Sequence, residues 1–242
     1  MSRGIYVALS GAVAQETALE STAQNLANAS TPGYQKNRAV FREVLAGATN
    51  NSKQSRLRYA AIDGNGVDAT RGALRSTGRA LDVALPENVY LAVTTPGGER
   101  YTRAGALTMT ADGSLCTVGG AKLVKGDGKP IVLDRNAGEP VIGPDGTVSQ
   151  NGSAVAKVRL VSADAATLAH EGAGLLVART PPTAAKNAIL EVGTLEESNA
   201  TPMAAMTELV TATRTFEAFQ RMIDTFGEID RRVLTTVPGA SE

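Results

Sequence analysis

Few side chains in this sequence of 242 residues are of kinds that carry reaction chemistry, and their spacing argues against it in each case. The one histidine, His170, is followed by Glu171 in a polar stretch, so an H-E-x-x-H motif or a multi-histidine metal centre is excluded and a surface-loop histidine is expected. Cys116, the one cysteine, has no basic neighbour in sequence to favour its thiolate, and no G-x-S-x-G elbow is present, so Cys116 is assigned to packing. Gly126-Asp127-Gly128-Lys129-Pro130 has neither the spacing nor the Ser or Thr of a phosphate loop and reads as a hairpin turn. Asp63-Gly64-Asn65-Gly66-Val67-Asp68 begins like a calcium loop, but Val67 occupies a ligand position and Leu74 stands where the closing Glu belongs. Asp112 and Asp145 each precede a glycine in a turn signature that already accounts for them. No catalytic, cofactor-binding or metal-ligating residue is therefore expected, and no cofactor.

The elements have a simple order. From Ile5 to Leu26 the apolar positions Ile5, Leu9, Ala12, Leu19, Ala23 and Leu26 step by three and four, with only Glu16 breaking the series, which predicts one amphipathic helix with a narrow, alanine-rich stripe. It should stop near Asn28, because Thr31-Pro32-Gly33 removes a backbone donor and then supplies a turn. Residues 35–45 either resume helix or extend, and 46–78, rich in Asn, Ser, Gly and Arg without a period, reads as an extended arm. Between 80 and 191, short apolar runs such as Leu81–Leu85, Tyr90–Val93, Ala106–Met109, Ile131–Leu133 and Ala156–Val161 alternate with the turn pairs Asp112-Gly113, Asp145-Gly146 and Asn151-Gly152. That is the signature of antiparallel strands. After Leu195 a cap at Asn199 or Thr201 and Pro202 in the first turn open a long helix, with Met206, Leu209, Val210, Phe216, Ile223 and Phe226 at helical spacing. The expected fold class is α+β: a helical assembly segment at 1–45, an arm at 46–79, an inserted all-antiparallel β domain at 80–191, and a second helical assembly segment at 192–242.

Bulk properties narrow the partners. Lys plus Arg and Asp plus Glu each total 24, so the formal charge is zero and a nucleic-acid partner has no electrostatic support. No apolar stretch approaches the roughly 20 residues that span a bilayer, and the first ten residues lack the pattern of a cleavable signal, so neither membrane insertion nor a cleaved leader is expected. Helices at both ends with uncovered apolar stripes need something to pack against, and the stripes Ile5, Leu9, Ala12, Leu19, Leu26 and Met206, Leu209, Phe216, Ile223 are the candidate assembly interface.

Asn25-Leu26-Ala27-Asn28-Ala29-Ser30-Thr31-Pro32-Gly33-Tyr34 resembles the N-L-A-N-x-x-T-P-G-[YF] signature that ends the N-terminal helix of flagellar rod and hook axial proteins. Leu195-Glu196-Glu197-Ser198-Asn199, leading to Arg214-Thr215-Phe216-Glu217, is similar to that family's L-E-x-S-N segment and R-x-[YF]-E step. Leu81-Asp82-Val83-Ala84, Tyr101-Thr102-Arg103-Ala104-Gly105 and Asp112-Gly113-Ser114-Leu115 look like its L-D-x-A, Y-T-R-x-G and D-G-x-L elements, while Pro86–Tyr90 departs from the usual Gly-rich turn with two aromatics. The resemblance implies a non-enzymatic, self-assembling rod subunit of the bacterial flagellar basal body. Its partners would be further copies, neighbouring rod proteins and the type III export apparatus, and its signature turn residues Asn25, Asn28, Thr31, Pro32, Gly33, Tyr34, Ser198 and Asn199. The short β domain argues against a hook protein, and Ile5–Ala12 with Pro202 look more like proximal than distal rod members. A distal rod protein and a secreted, non-catalytic adhesin are the alternatives. The adhesin would not need helical stripes at both ends.

Overall fold

The computed structural model describes residues 3–46 and 57–236. Two long helices, α1 (Arg3–Ala27) and α2 (Pro202–Thr236), enclose in sequence a series of short strands, and every pairing given for those strands is antiparallel. The chain is α+β, as expected. Its described residues divide into two compact units: 3–24, 38–46, 57–65 and 203–236 form one, and 25–37 with 66–202 form the other.

In the first unit, glycines set the helix pairing. A Cβ on Gly4 would lie 2.6 Å from the ring of Phe226, and one on Gly11 would lie 2.4 Å from that of Phe219. A step of seven forward on α1 thus meets a step of seven backward on α2, so the helices run antiparallel and each phenylalanine fills the hole a glycine leaves. On α2 the spacing Ala205, Leu209, Ala212, Phe216, Phe219, Ile223, Phe226 alternates four and three, and Ala205 and Ala212 are buried while the other five are half-buried. Of the expected assembly residues in this unit, Ala12 is buried, Ile5, Leu19, Leu209, Phe216 and Ile223 are half-buried, and only Leu9 (52 %) and Met206 (51 %) are exposed.

Residues 37–46 extend rather than resume helix. Strand Asn37–Ala46 is hydrogen-bonded to strand Leu57–Val67, so part of the expected 46–78 arm is a paired strand; the rest of that expectation, at 47–56, lies outside the described residues.

The second unit is built around strand Val89–Thr95, whose residues from Leu91 to Thr95 pair with Gly98–Thr102 on one side, while the other side pairs with Leu160–Ser162 at one end and with Lys122–Leu123 at the other. It is buried on both faces. Val89, Leu91 and Val93 join a core with Leu85, Leu107, Leu115, Leu123, Ile131, Ile142 and Val148, while Tyr90 and Ala92 join a second with Tyr101, Val124, Val161, Leu168 and Leu176. The turn pairs fall where expected: Gly113 and Gly146 adopt φ of 80° and 81°, and Asn151-Gly152 carries positive φ at both positions, as a type I′ turn demands. Two expected strands differ. Ile131–Leu133 is held by an isolated bridge, Val132 with Ser114, and by N–H groups of Ile131 and Leu133 that donate to the Leu123 and Gly113 carbonyls. Ala156–Val161 is split, Ser153–Lys157 pairing with Thr147–Gln150 and Leu160–Ser162 crossing to the larger sheet.

This unit extends past the expected 80–191 span. Leu74–Ser76 pairs with Thr194–Glu196, Val83–Ala84 pairs with Glu191–Val192, and residues 25–37 belong to the same body.

Candidate functional site: a polar joint of the signature segments

The signature residues converge within the second unit. Asn25, at the end of α1, is 3 % exposed and uses its whole amide: Oδ1 accepts from the Asn37 N–H at 2.7 Å and the Tyr34 hydroxyl at 3.1 Å, and Nδ2 donates to the Asn37 carbonyl at 2.7 Å. Asn28 closes the turn, its carbonyl accepting from the Thr31 N–H at 3.0 Å and its side-chain oxygen from the Thr31 hydroxyl at 3.3 Å. Pro32 follows, and Gly33 takes φ of 69°. Asn199 answers from the other signature: its Oδ1 accepts from the Lys36 N–H at 2.6 Å, while Nδ2 donates to the carbonyls of Asp68 at 3.0 Å and Thr70 at 2.8 Å. Ser198 accepts from the Ala200 N–H at 3.1 Å, shaping the approach to α2.

Between these two segments lies an ion pair. Arg103 and Glu196 each leave 2 % of the side chain exposed. Arg103 Nε donates to Glu196 Oε2 at 3.0 Å and Nη2 to the same oxygen; Nη1 reaches the carbonyls of Pro86 and Val89 at 2.9 Å, and Nη2 that of Leu85 at 3.0 Å. The guanidinium carbon sits 5.7 Å from the Tyr90 ring centre, whose hydroxyl donates to Gln35 Oε1 at 3.1 Å. Glu196 also accepts from the Gly72 N–H through its side chain and from the Gly33 N–H, at 2.8 Å, through its carbonyl. Arg103 and Glu196 stand inside the motifs recognised in the sequence but are not among the residues singled out there. The available signal was their place in the two motifs, an arginine closing Tyr101-Thr102-Arg103 and an acid in Leu195-Glu196, since a buried arginine must find an acid.

Asp82, of the L-D-x-A element, makes a second crossing: its side chain accepts from the Thr77 hydroxyl at 2.7 Å and its carbonyl from the Gly193 N–H at 2.8 Å.

His170 is not a surface-loop residue. It lies in strand Leu168–Gly172, half-buried, its ring 5.3 Å from that of Tyr34 and hydrogen-bonded to the Gln35 main chain. The period-two pattern turns it toward the signature turn, which sequence spacing did not reveal. Burial pushes its pKa down, with the Gln35 bond opposing. The unfolded chain therefore binds a proton more readily than the folded one, and the stability tied to this group is complete above the ordinary histidine value and is lost as pH falls through the lowered one. With one histidine in the chain, urea unfolding at pH 7.5 and 5.5 should show lower stability at 5.5, and His170→Phe should flatten that difference.

The remaining chemical candidates are structural. Cys116 is buried, its pKa raised by desolvation. Asp112 accepts from the Thr110 and Ser114 hydroxyls and from Lys122, which lowers its pKa, and Asp145 is held down chiefly by Thr147. A cleft of about 590 Å³ lined by residues including Pro144, Leu160, Ala188 and Ile189 has its charges already paired, Lys157 to Asp145 and Arg159 to Glu99. Among the described residues no group of His, Cys, Asp or Glu is arranged to hold a metal, and no described helix is long and apolar enough to cross a membrane.

Asn25→Ala should cost about 2–3 kcal/mol, because it strands the Asn37 N–H and carbonyl and the Tyr34 hydroxyl in a buried place. Chemical denaturation measures it.

In this joint two end signatures are tied to one β unit by hydrogen bonds, an arrangement that suits a structural protein. The comparisons agree. Residues 5–35 match the family of flagella basal body rod proteins, 85–150 the D1 domain of the flagellar hook protein FlgE/F/G, and 191–236 the C-terminal region of flagellar basal body rod FlgEFG proteins. The flagellar basal-body rod protein FlgF of Rhizobium meliloti is 32 % identical over 240 residues, covering 97 % of this chain and 98 % of its own length. FlgF of Caulobacter vibrioides is 32 % identical with 96 % of each chain covered, and the rod protein FlgG of Bacillus subtilis 30 % identical over 95 % and 97 %. This chain belongs to the flagellar basal-body rod protein family.

Proposed function

We propose that the chain is a structural subunit of the flagellar basal-body rod on its proximal side, in the periplasm, that polymerises with further copies and with neighbouring rod proteins. It is delivered by the flagellar type III export apparatus and performs no catalysis. The full-length likeness to several FlgF relatives supports this reading. The observation that carries it is the division of the helical unit into two faces. The Gly4–Phe226 and Gly11–Phe219 contacts consume one face of each helix. Away from it, Tyr6, Leu9 and Val13 form an exposed apolar line on α1, and Met203, Met206 and Val210 form one on α2. Of the stripes predicted for assembly, Leu9 and Met206 remain available for other copies, while Ala12, Phe216 and Ile223 belong with the covered side. Each large side chain buried against a neighbour contributes about 1.5–3 kcal/mol, and head-to-tail contacts that do not close a ring give a filament.

The test is composition of detergent-washed basal bodies by mass spectrometry, from cells carrying the natural chain or Leu9→Asp/Met206→Asp. The natural chain should be intrinsic to basal bodies and absent from purified hooks. The double variant should be exported and yet missing from rods. A natural chain absent from basal bodies would sink the proposal. Asn25→Ala addresses the signature turn: normal export with failure to join rods supports its structural role, and blocked export makes it an export signal instead.

A further inference from the structure

The β unit is completed by its own last segment. Residues 194–199 are the final piece of chain before α2, yet they lie at the centre of the unit's polar joint. Leu74–Ser76 pairs with Thr194–Glu196, the Gly33 N–H and Gly72 N–H are taken by Glu196, the Glu197 N–H reaches Ala73, and Asn199 ties Lys36, Asp68 and Thr70. The backbone approaches so closely there that a Cβ on Gly72 would lie 1.9 Å from the Glu197 carbonyl oxygen. Above all, among the described residues Glu196 supplies the only carboxylate that pairs with Arg103, whose guanidinium otherwise meets the carbonyls of Leu85, Pro86 and Val89.

We infer that the Arg103–Glu196 pair is a folding latch, which keeps the β unit from closing until residues 194–199 are present. Before those residues are available, closing the double-sided strand around Tyr90 means desolvating a guanidinium against three carbonyls and no counter-charge, a state that the interior strongly disfavours. Once Glu196 docks, the same burial becomes favourable, and its backbone closes the ladder with Leu74–Ser76 in the same event. Because 194–199 follow every other segment of the unit in sequence, the chain stays open while nearly all of the unit has been made. The inference concerns folding order alone and stands whether or not the chain enters a rod.

The experiment is refolding of the full chain from urea, followed by pulsed hydrogen exchange with mass spectrometry. In the natural chain, peptides covering 89–102 and 160–162 should gain protection in the same kinetic phase as the peptide covering 191–199. Arg103→Met removes the charge that must wait, and should let 89–102 gain protection ahead of 191–199. Glu196→Gln leaves the guanidinium uncompensated and should lower the protected-to-open ratio of 89–102 on the order of 100-fold or more. Protection of 89–102 before 191–199 in the natural chain would overturn the latch. So would an order of events that Arg103→Met leaves unchanged.

Discussion

Glu196→Leu is expected to lower the unfolding free energy by about 3–5 kcal/mol, and the double variant Arg103→Met/Glu196→Leu to recover roughly half of that loss. Breaking one side of a buried pair leaves a guanidinium whose desolvation is no longer offset, whereas removing both charges replaces the pair by apolar volume in a site already walled by Tyr90 and Leu85. Recovery stays incomplete because Arg103 serves more than Glu196. The carbonyls of Leu85 and Val89 lose their guanidinium donors in the double variant, at about 0.5–1.5 kcal/mol each, while that of Pro86 keeps the Val89 N–H at 3.4 Å. The departure from the family pattern at Pro86–Tyr90 thus falls on two of the three residues that supply those carbonyls, Pro86 and Val89. Urea unfolding of the natural chain, both single variants and the double variant gives the coupling energy directly. A coupling near zero would mean that the pair is solvated and that the joint rests on its main-chain bonds.

Most of the fold was legible from sequence periodicity. The helices α1 and α2 begin and end close to where the stripe, Pro32, Asn199 and Pro202 place them, because capping and breaking are local and need no tertiary knowledge. The two hairpin glycines and Asn151 behave as turn chemistry requires. What could not be read was partnership across long separations. The arm at 46–78 lacks a period because strand Leu57–Val67 takes its definition from Asn37–Ala46, and Leu74–Ser76 is defined by a strand some 120 residues later. The spacing of the helical stripe points to packing against a partner, and Gly4 and Gly11 add an intramolecular seam beside it. A glycine carries no hydrophobic signal, and its role emerges only when an aromatic ring is seen to fill the gap. His170 was misplaced for a related reason: a polar sequence neighbourhood says nothing about a strand that turns one residue in two toward Tyr34. The signature turn itself was visible as a motif. Its logic, that Asn25 and Asn199 satisfy main-chain groups on two segments far apart in sequence, emerges only in the folded chain.

Gly33→Ala is expected to cost about 2–5 kcal/mol, and Gly78→Ala provides the comparison that explains why. Both glycines hold nearly the same backbone conformation, with φ of 69° and 72°. An alanine pays about 1–2 kcal/mol to adopt it in either place. The surroundings differ completely: a Cβ on Gly78 meets nothing within 4 Å, whereas one on Gly33 would lie 2.2 Å from the carbonyl oxygen of Arg103 and 2.6 Å from the Ala104 nitrogen. Those are main-chain atoms and cannot rotate away, so Gly33→Ala must push apart the signature turn and the strand end that carries the buried guanidinium, adding about 1–3 kcal/mol of overpacking. Since the Gly33 N–H also donates to the Glu196 carbonyl at 2.8 Å, the displacement should weaken the ion pair as well. The two effects are then separable: in an Arg103→Met/Glu196→Leu background, Gly33→Ala should cost less than in the natural chain while Gly78→Ala costs the same. Equal costs for Gly33→Ala in both backgrounds would show that the turn and the ion pair are held independently, and that the N-terminal signature is fixed by Asn25 and Asn199 alone.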